Sequence, residues 1–211
     1  MKTHRITGNG GVQLNVVESG NPRGRPILFL HGALQCSLQW SRQLDSSLTD
    51  DHRLVAIDMR GHGMSDKPRD AYADSKQWAD DVDAVIRSLA LDRPVLSGWS
   101  YGSLVGLDYV RHYGESAIGG LHFVGAVTQL GTDAALEVLS PGALGIFPQL
   151  LAGETENTAF ALQELLRLCF AHPPADAEFF RMLVYNVSVP PFVRQGLFAR
   201  SLTNDDLLPR L

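Results

Sequence analysis

Gly98-Trp99-Ser100-Tyr101-Gly102 sets a hydroxyl between two glycines, directly after the buried-strand pattern Pro94-Val95-Leu96-Ser97 and ahead of a helical pattern opening at Ser103. A serine held out on a sharp strand-to-helix turn is placed to attack a carbonyl carbon. Glycine suits both flanks, because a side chain at either would collide where strand and helix approach. A place at a helix N-terminus also favours the negative charge that such an attack develops. Away from that context the pentapeptide is only a Ser/Gly turn.

Acyl transfer also needs N–H donors for the developing oxyanion. His31-Gly32-Ala33 follows the apolar run Pro26–Leu30, at the strand end where the crevice of a parallel sheet lies. The backbone N–H of Ala33 and that of Tyr101 would make a two-donor hole, with Leu34 as the alternative to Ala33. His31 itself reads as a residue that orients the loop. The stretch Asp58-Met59-Arg60-Gly61-His62-Gly63-Met64-Ser65-Asp66 follows the next buried run, Arg53–Ile57. Its glycines supply turn geometry, and Arg60 paired with Asp58 or Asp66 would fix the loop. His62 reads as scaffold, not as a base.

The elements that must position these groups alternate. Residues 3–7 and 12–18 read as strands joined by a turn at 8–11, and 26–30 and 53–57 as strands buried on both faces. A helix is expected at about 38–48. Residues 75–90 place Trp78, Val82, Val85, Ile86 and Leu89 on one helical face. A helix over about 101–113 follows the elbow, and 118–127 is the last strand-like run. Strands separated by helix-length segments give an α/β fold, a mostly parallel twisted sheet with helices on both faces and an antiparallel edge.

After about residue 132 the character changes, with no clear strand signal from 133 to 211. Residues 158–170 read as a strong amphipathic helix, and 143–152, 175–187 and 191–201 as weaker ones punctuated by prolines. Residues 1–132 are therefore expected to form the core and 133–211 a helical cap.

The chain has 211 residues and a net charge of −5, which argues against nucleic acid or an anionic membrane as partner. The N-terminus carries no apolar signal core, and no apolar stretch approaches the roughly 18 residues of a membrane helix. Cys36 and Cys169 lie far apart and read as free thiols, which points to a reducing cytoplasm. Gly8-Asn9-Gly10-Gly11 precedes a strand and opens no helix, so it lacks the setting of a phosphate loop.

Three stretches, LFLHG at 28–32, DMRGHGMSD at 58–66 and GWSYG at 98–102, closely resemble the α/β-hydrolase superfamily in order and approximate spacing, over about residues 12–130. The resemblance implies Ser100 as nucleophile, Ala33 and Tyr101 as oxyanion donors, a cap after the sixth strand, and neither metal nor organic cofactor. It implies a small-molecule substrate, a largely apolar ester, lactone or related carbonyl compound. Carbon–carbon hydrolysis and perhydrolysis reuse the same machinery. Serine at the elbow separates the chain from dehalogenase and epoxide hydrolase chemistry, where the family uses aspartate.

Members of this kind take the triad acid from after the seventh strand and the histidine from after the eighth. Residues 205–211 look like the approach to the seventh, so the fold is expected to be C-terminally incomplete and the chain a fragment lacking both groups. Within it, Asp133 and His172 are the remaining candidates for acid and base, beside plain surface readings of each. Such a chain would leave 118–127 as an apolar sheet edge and one sheet face short of helices. The competing reading is a non-catalytic binding or receptor-like protein.

Overall fold

A computed structural model describes residues 1–137, 139–153, 156–204 and 206–208. Strands β1 (Lys2–Thr7), β2 (Gln13–Gly20), β3 (Arg25–Leu30), β4 (His52–Asp58), β5 (Val95–Trp99) and β6 (Gly120–Val124) form one sheet in the order β1-β2-β4-β3-β5-β6. The β1–β2 and β2–β4 pairs are antiparallel, while β3 runs parallel to β4 and β5, and β5 to β6. The expected mostly parallel sheet with an antiparallel edge is therefore present. Its continuous apolar runs, Leu28 and Leu30 on one face and Phe29 on the other, are buried on both sides.

One face carries Leu28, Leu30, Val55, Ile57 and Leu96 and packs in the main core with Trp78, Val82 and Leu104. The last three belong to α3 (Ser75–Ser88) and α4 (Tyr101–Tyr113), which lie against each other. Asp74 caps α3 by accepting the Lys76 N–H at 2.8 Å, and Trp78, Val82, Val85 and Ile86 make its buried stripe, as the periodicity predicts.

The other face is covered differently from the expectation. The single helix expected at 38–48 is three short pieces: a 3₁₀ turn Ser37–Trp40, α1 (Ser41–Leu44) and α2 (Leu48–Asp51). Trp40 and Leu44 from these pieces pack on Phe29, Leu54 and Ala56 in a second, smaller core. Further along this face, the paired residues Ser97 and His122 bond to each other at 2.9 Å, and His122 is exposed. Among the described residues β6 has a neighbour on one side only, and Val124 is 40% exposed.

Beyond the sheet come α5 (Asp133–Glu137), α6 (Pro141–Leu151), α7 (Glu156–Leu168), α8 (Asp176–Val187) and α9 (Pro191–Phe198). The four longer ones fall where the sequence pattern places helices. One correction concerns strand content: β8 (Leu202–Thr203), within the stretch 133–211 read as having no clear strand signal, pairs antiparallel with β7 (Gln129–Leu130). Two-residue strands are too short for a periodicity signal. Of the expected approach to a further sheet strand at 205–211, positions 205 and 209–211 lie outside the described residues, and 206–208 form a turn. Among the described residues no helix is long and apolar enough to cross a membrane.

Arg60 gives a second correction. It pairs with neither Asp58 nor Asp66 but reaches into α3, donating to Asp81 from Nε at 2.7 Å and from a terminal nitrogen at 2.9 Å. Both side chains are almost fully buried. Asn9, in the turn between β1 and β2, joins them by donating its N–H to Asp81. The pair thus fastens the loop after β4 to the main helix layer. Asp81→Ala strands a buried guanidinium and should cost about 3–5 kcal/mol in urea denaturation, while Arg60→Met with Asp81→Leu should recover most of that loss.

Candidate active site

Ser100 ends β5 and caps α4 with φ 51° and ψ −117°, a conformation that L-residues rarely adopt. Strain of this kind costs about 1–3 kcal/mol and persists only where surrounding contacts enforce it. Those contacts are backbone to backbone. A Cβ on Gly98 would lie 2.6 Å from the Gly102 carbonyl oxygen, and one on Gly102 would lie 2.2 Å from that of Leu30. The Ser103 N–H donates to the Ser100 carbonyl at 2.9 Å and closes the turn. The Ser100 N–H donates to the Val124 carbonyl at 3.0 Å, tying the elbow to the end of β6.

The loop after β3 is fixed by equally specific bonds. Gly32 packs so closely on the Trp99 ring that a Cβ would lie 2.3 Å from it, and the Gln35 N–H closes a turn on the Gly32 carbonyl at 3.2 Å. Leu34 takes φ 64°, and its N–H donates to His62 Nε2 at 3.3 Å. That bond engages the N–H of Leu34, the alternative to Ala33 in the sequence reading. Tyr101 opens α4, so its N–H has no acceptor one turn earlier in the helix. Ala33, Ser100 and Tyr101 line one cavity.

The two histidines near this loop are scaffold. His31 Nε2 accepts the Met59 N–H at 3.0 Å and His62 Nε2 accepts that of Leu34, so each ring carries its proton on Nδ1. From Nδ1, His31 donates to the Gly32 carbonyl and His62 to that of Arg60. Their rings meet edge to face at 4.9 Å. Burial pushes His31 down to about 4, and burial followed by the neighbouring His31 holds His62 well below the ordinary imidazole value. Asp58 completes the framework by accepting the N–H groups of Ser37 at 2.6 Å and Met64 at 2.9 Å.

The remaining histidines are engaged elsewhere or stand off. His4 pairs with Glu18, His52 meets the Arg25 carbonyl, His112 pairs with Ser75 and His122 with Ser97. His172 lines a neighbouring cavity that shares Trp99 and Cys169 with the Ser100 cavity, but it does not line the latter. Asp133 sits exposed in the first turn of α5. Neither candidate is brought to Ser100, and among the described residues no histidine lines its cavity.

That cavity holds about 180 Å³ and is walled by apolar side chains, among them Val127, Leu130, Phe147, Leu165 and Phe198. Its polar contributions include Gln35, which donates to Asn186 of α8 at 3.2 Å, both side chains being buried. Sequence reading missed this bridge. Residues 151 apart share no local pattern, and Asn186 within an amphipathic helix carries no signal of its own. Among the described residues no cluster of side chains is arranged to hold a metal ion.

A family profile described as the alpha/beta hydrolase fold matches residues 25–167, and the chain belongs to that family. Among solved structures it is similar to the esterase RhEst1 from Rhodococcus sp. ECU1013, at 33% identity and a TM-score of 0.92, over 100% of this chain and 78% of that one. It is also similar to a putative aryl esterase from Burkholderia cenocepacia, at 32% identity and a TM-score of 0.86, over 95% of this chain and 73% of that one. A match of 38% identity to the AB hydrolase superfamily protein YisY of Bacillus subtilis covers 53% of this chain and 41% of that protein. The chain thus matches about two fifths of that curated relative's length.

The neutral histidine pair gives a pH prediction. A group whose pKa is lowered by folding contributes stability above its unfolded value and loses it as pH falls. His31 should therefore cost the fold about 3 kcal/mol as pH falls from the ordinary imidazole value of 6.5 to about 4. Urea midpoints measured across that range should fall less steeply for His31→Gln.

Proposed function

We propose that the chain carries the nucleophilic half of a serine hydrolase that acts on small, largely apolar esters, lactones or related carbonyl compounds. The observation that carries this reading is the strained Ser100 at the strand-to-helix turn, opening on an apolar cavity shared with Ala33 and Tyr101. Ser100 Oγ attacks the carbonyl carbon while the N–H groups of Ala33 and Tyr101 receive the oxyanion. Each such donor contributes about 10²–10³ in rate. Collapse of the tetrahedral adduct breaks the substrate C–O bond, the departing alkoxide takes up the proton given up by Ser100, and the acyl group stays in the cavity as the ester of Ser100 until water releases it as the acid.

Residues 1–132 serve as the core and 133–211 as a cap, because helices from the latter stretch supply the cavity's apolar wall. The similarity to two esterases supports the substrate class. Proton transfer needs an imidazole within hydrogen-bond reach of Ser100, and none of the seven histidines lines its cavity. The free thiols of Cys36 and Cys169 fit a reducing cytoplasm.

The same lack of a nearby imidazole favours a second reading, a binding protein that keeps the pocket without turnover. Incubation with p-nitrophenyl butyrate and added imidazole as an external base separates the two. The hydrolase reading expects a butyryl adduct on Ser100 by mass spectrometry, at a rate that rises with imidazole and vanishes in Ser100→Ala. Saturable binding of the ester with no adduct would establish the second reading instead.

A further inference from the structure

We propose that the segment from Leu197 to Asn204 is a strap across α4 and that Arg200 within it is a positioning residue for the oxyanion donor at Tyr101. This rests on the catalytic reading of Ser100 and Tyr101 above. Three side chains of α4 receive the segment: Tyr101 at the helix start, then Asp108 and Arg111. The Tyr101 hydroxyl accepts from an Arg200 terminal nitrogen at 3.1 Å and donates to the Leu197 carbonyl at 3.5 Å. The other terminal nitrogen of Arg200 donates to both Asp108 oxygens at 2.8 Å. Arg111 donates to the Thr203 carbonyl at 3.3 Å and to Asn204 Oδ1 at 3.0 Å.

The guanidinium also lies over the rings of Trp78 and Tyr101, at 5.8 Å and 5.7 Å from their centroids. From the other side, β7 pairs with β8, and Asn204 donates to the Thr128 carbonyl. Gly131, at φ 69°, lets the chain pass so close that a Cβ there would lie 2.8 Å from the Arg200 carbonyl.

Stability alone explains this arrangement poorly. The side chains of Arg200 and Asp108 are 1% and 2% exposed, and a well-packed apolar pair of similar volume is often at least as stable as a buried ion pair. Burial pushes the Asp108 carboxyl up to about 6 despite its partner, and Arg200 Nε is buried with no acceptor. What the charged pair supplies is direction. A planar guanidinium held by Asp108 presents its other nitrogen to one place, the Tyr101 hydroxyl.

Tyr101 is the residue whose N–H would receive the oxyanion, so fixing its ring fixes that donor. The strap continues from α9, whose Phe198 lines the Ser100 cavity. The wall that contacts the acyl group and the donor that receives the oxyanion are thereby parts of one bonded unit. Oxyanion stabilisation is sensitive to displacements of about 1 Å, whereas apolar binding of the acyl group is not.

The test is the imidazole-supported acylation of Ser100 by p-nitrophenyl butyrate, followed as a function of ester concentration. Tyr101→Phe removes both hydroxyl contacts and leaves the ion pair. Arg200→Met with Asp108→Leu removes the pair without stranding a charge. Both variants should acylate about 10- to 100-fold more slowly, with a half-saturating ester concentration changed less than about twofold. A rate loss matched by an equal rise in half-saturation, or no rate loss in either variant, would overturn the proposal.

Hydrogen exchange of the full chain gives a readout independent of catalysis. Peptides covering 99–104 and 197–204 should lose protection together in Arg200→Met with Asp108→Leu, while β3 and β4 keep theirs. Protection lost at 197–204 alone would refute the strap. If the parent chain gives no adduct on Ser100, the hydrolase reading fails and exchange alone decides whether the strap holds Tyr101.

Discussion

The close approach of bare backbone at Gly98 and Gly102 is the constraint on which the rest of the molecule depends. With no Cβ at either position, the first turn of α4 seats directly on the carbonyl ends of β3 and β5. That contact drives Ser100 into positive φ, aims the N-terminus of α4 at the crevice, and brings the elbow to the loop that follows β3. Side-chain packing could not substitute, because any atom added there displaces strand from helix.

Around this contact the protein buries His31, Asp58, Arg60 and His62, all of them hydrogen-bonded. His31, His62 and Asp58 each satisfy a backbone N–H of a neighbouring loop at the C-terminal ends of the parallel strands, and Arg60 bonds Asp81 of α3. A loop carrying unpaired N–H and C=O groups would need water to satisfy them. The imidazoles serve because each can accept at one nitrogen and donate at the other without carrying charge.

Much of this was legible in the sequence, for reasons of range. The Gly-Trp-Ser-Tyr-Gly turn, the buried apolar runs and the stripe of α3 are encoded within a few residues, so glycine placement and periodicity reveal them. The partners of the buried charges are not. Arg60 finds Asp81 across 21 residues, and Arg200 finds Asp108 across 92, so charge alone could not choose among the aspartates. The break of 38–48 into three turns reflects the packing of Trp40 and Leu44 on Phe29, a tertiary contact that overrides local helical preference. Asp133 is a candidate for its place after the sixth strand and His172 for its place in the cap, and neither lines the Ser100 cavity.

The bond from the Ser100 amide to the Val124 carbonyl makes Ser100, mechanically, an appendage of the edge strand β6. Interior strands hold their amides through two neighbours, but β6 is supported on one side among the described residues. The stiffness of Ser100 is therefore borrowed from a strand at the edge of the sheet. A chain of hydrogen bonds laid along the open side of β6 would reach Ser100 as preorganisation, with no atom of the newcomer touching it.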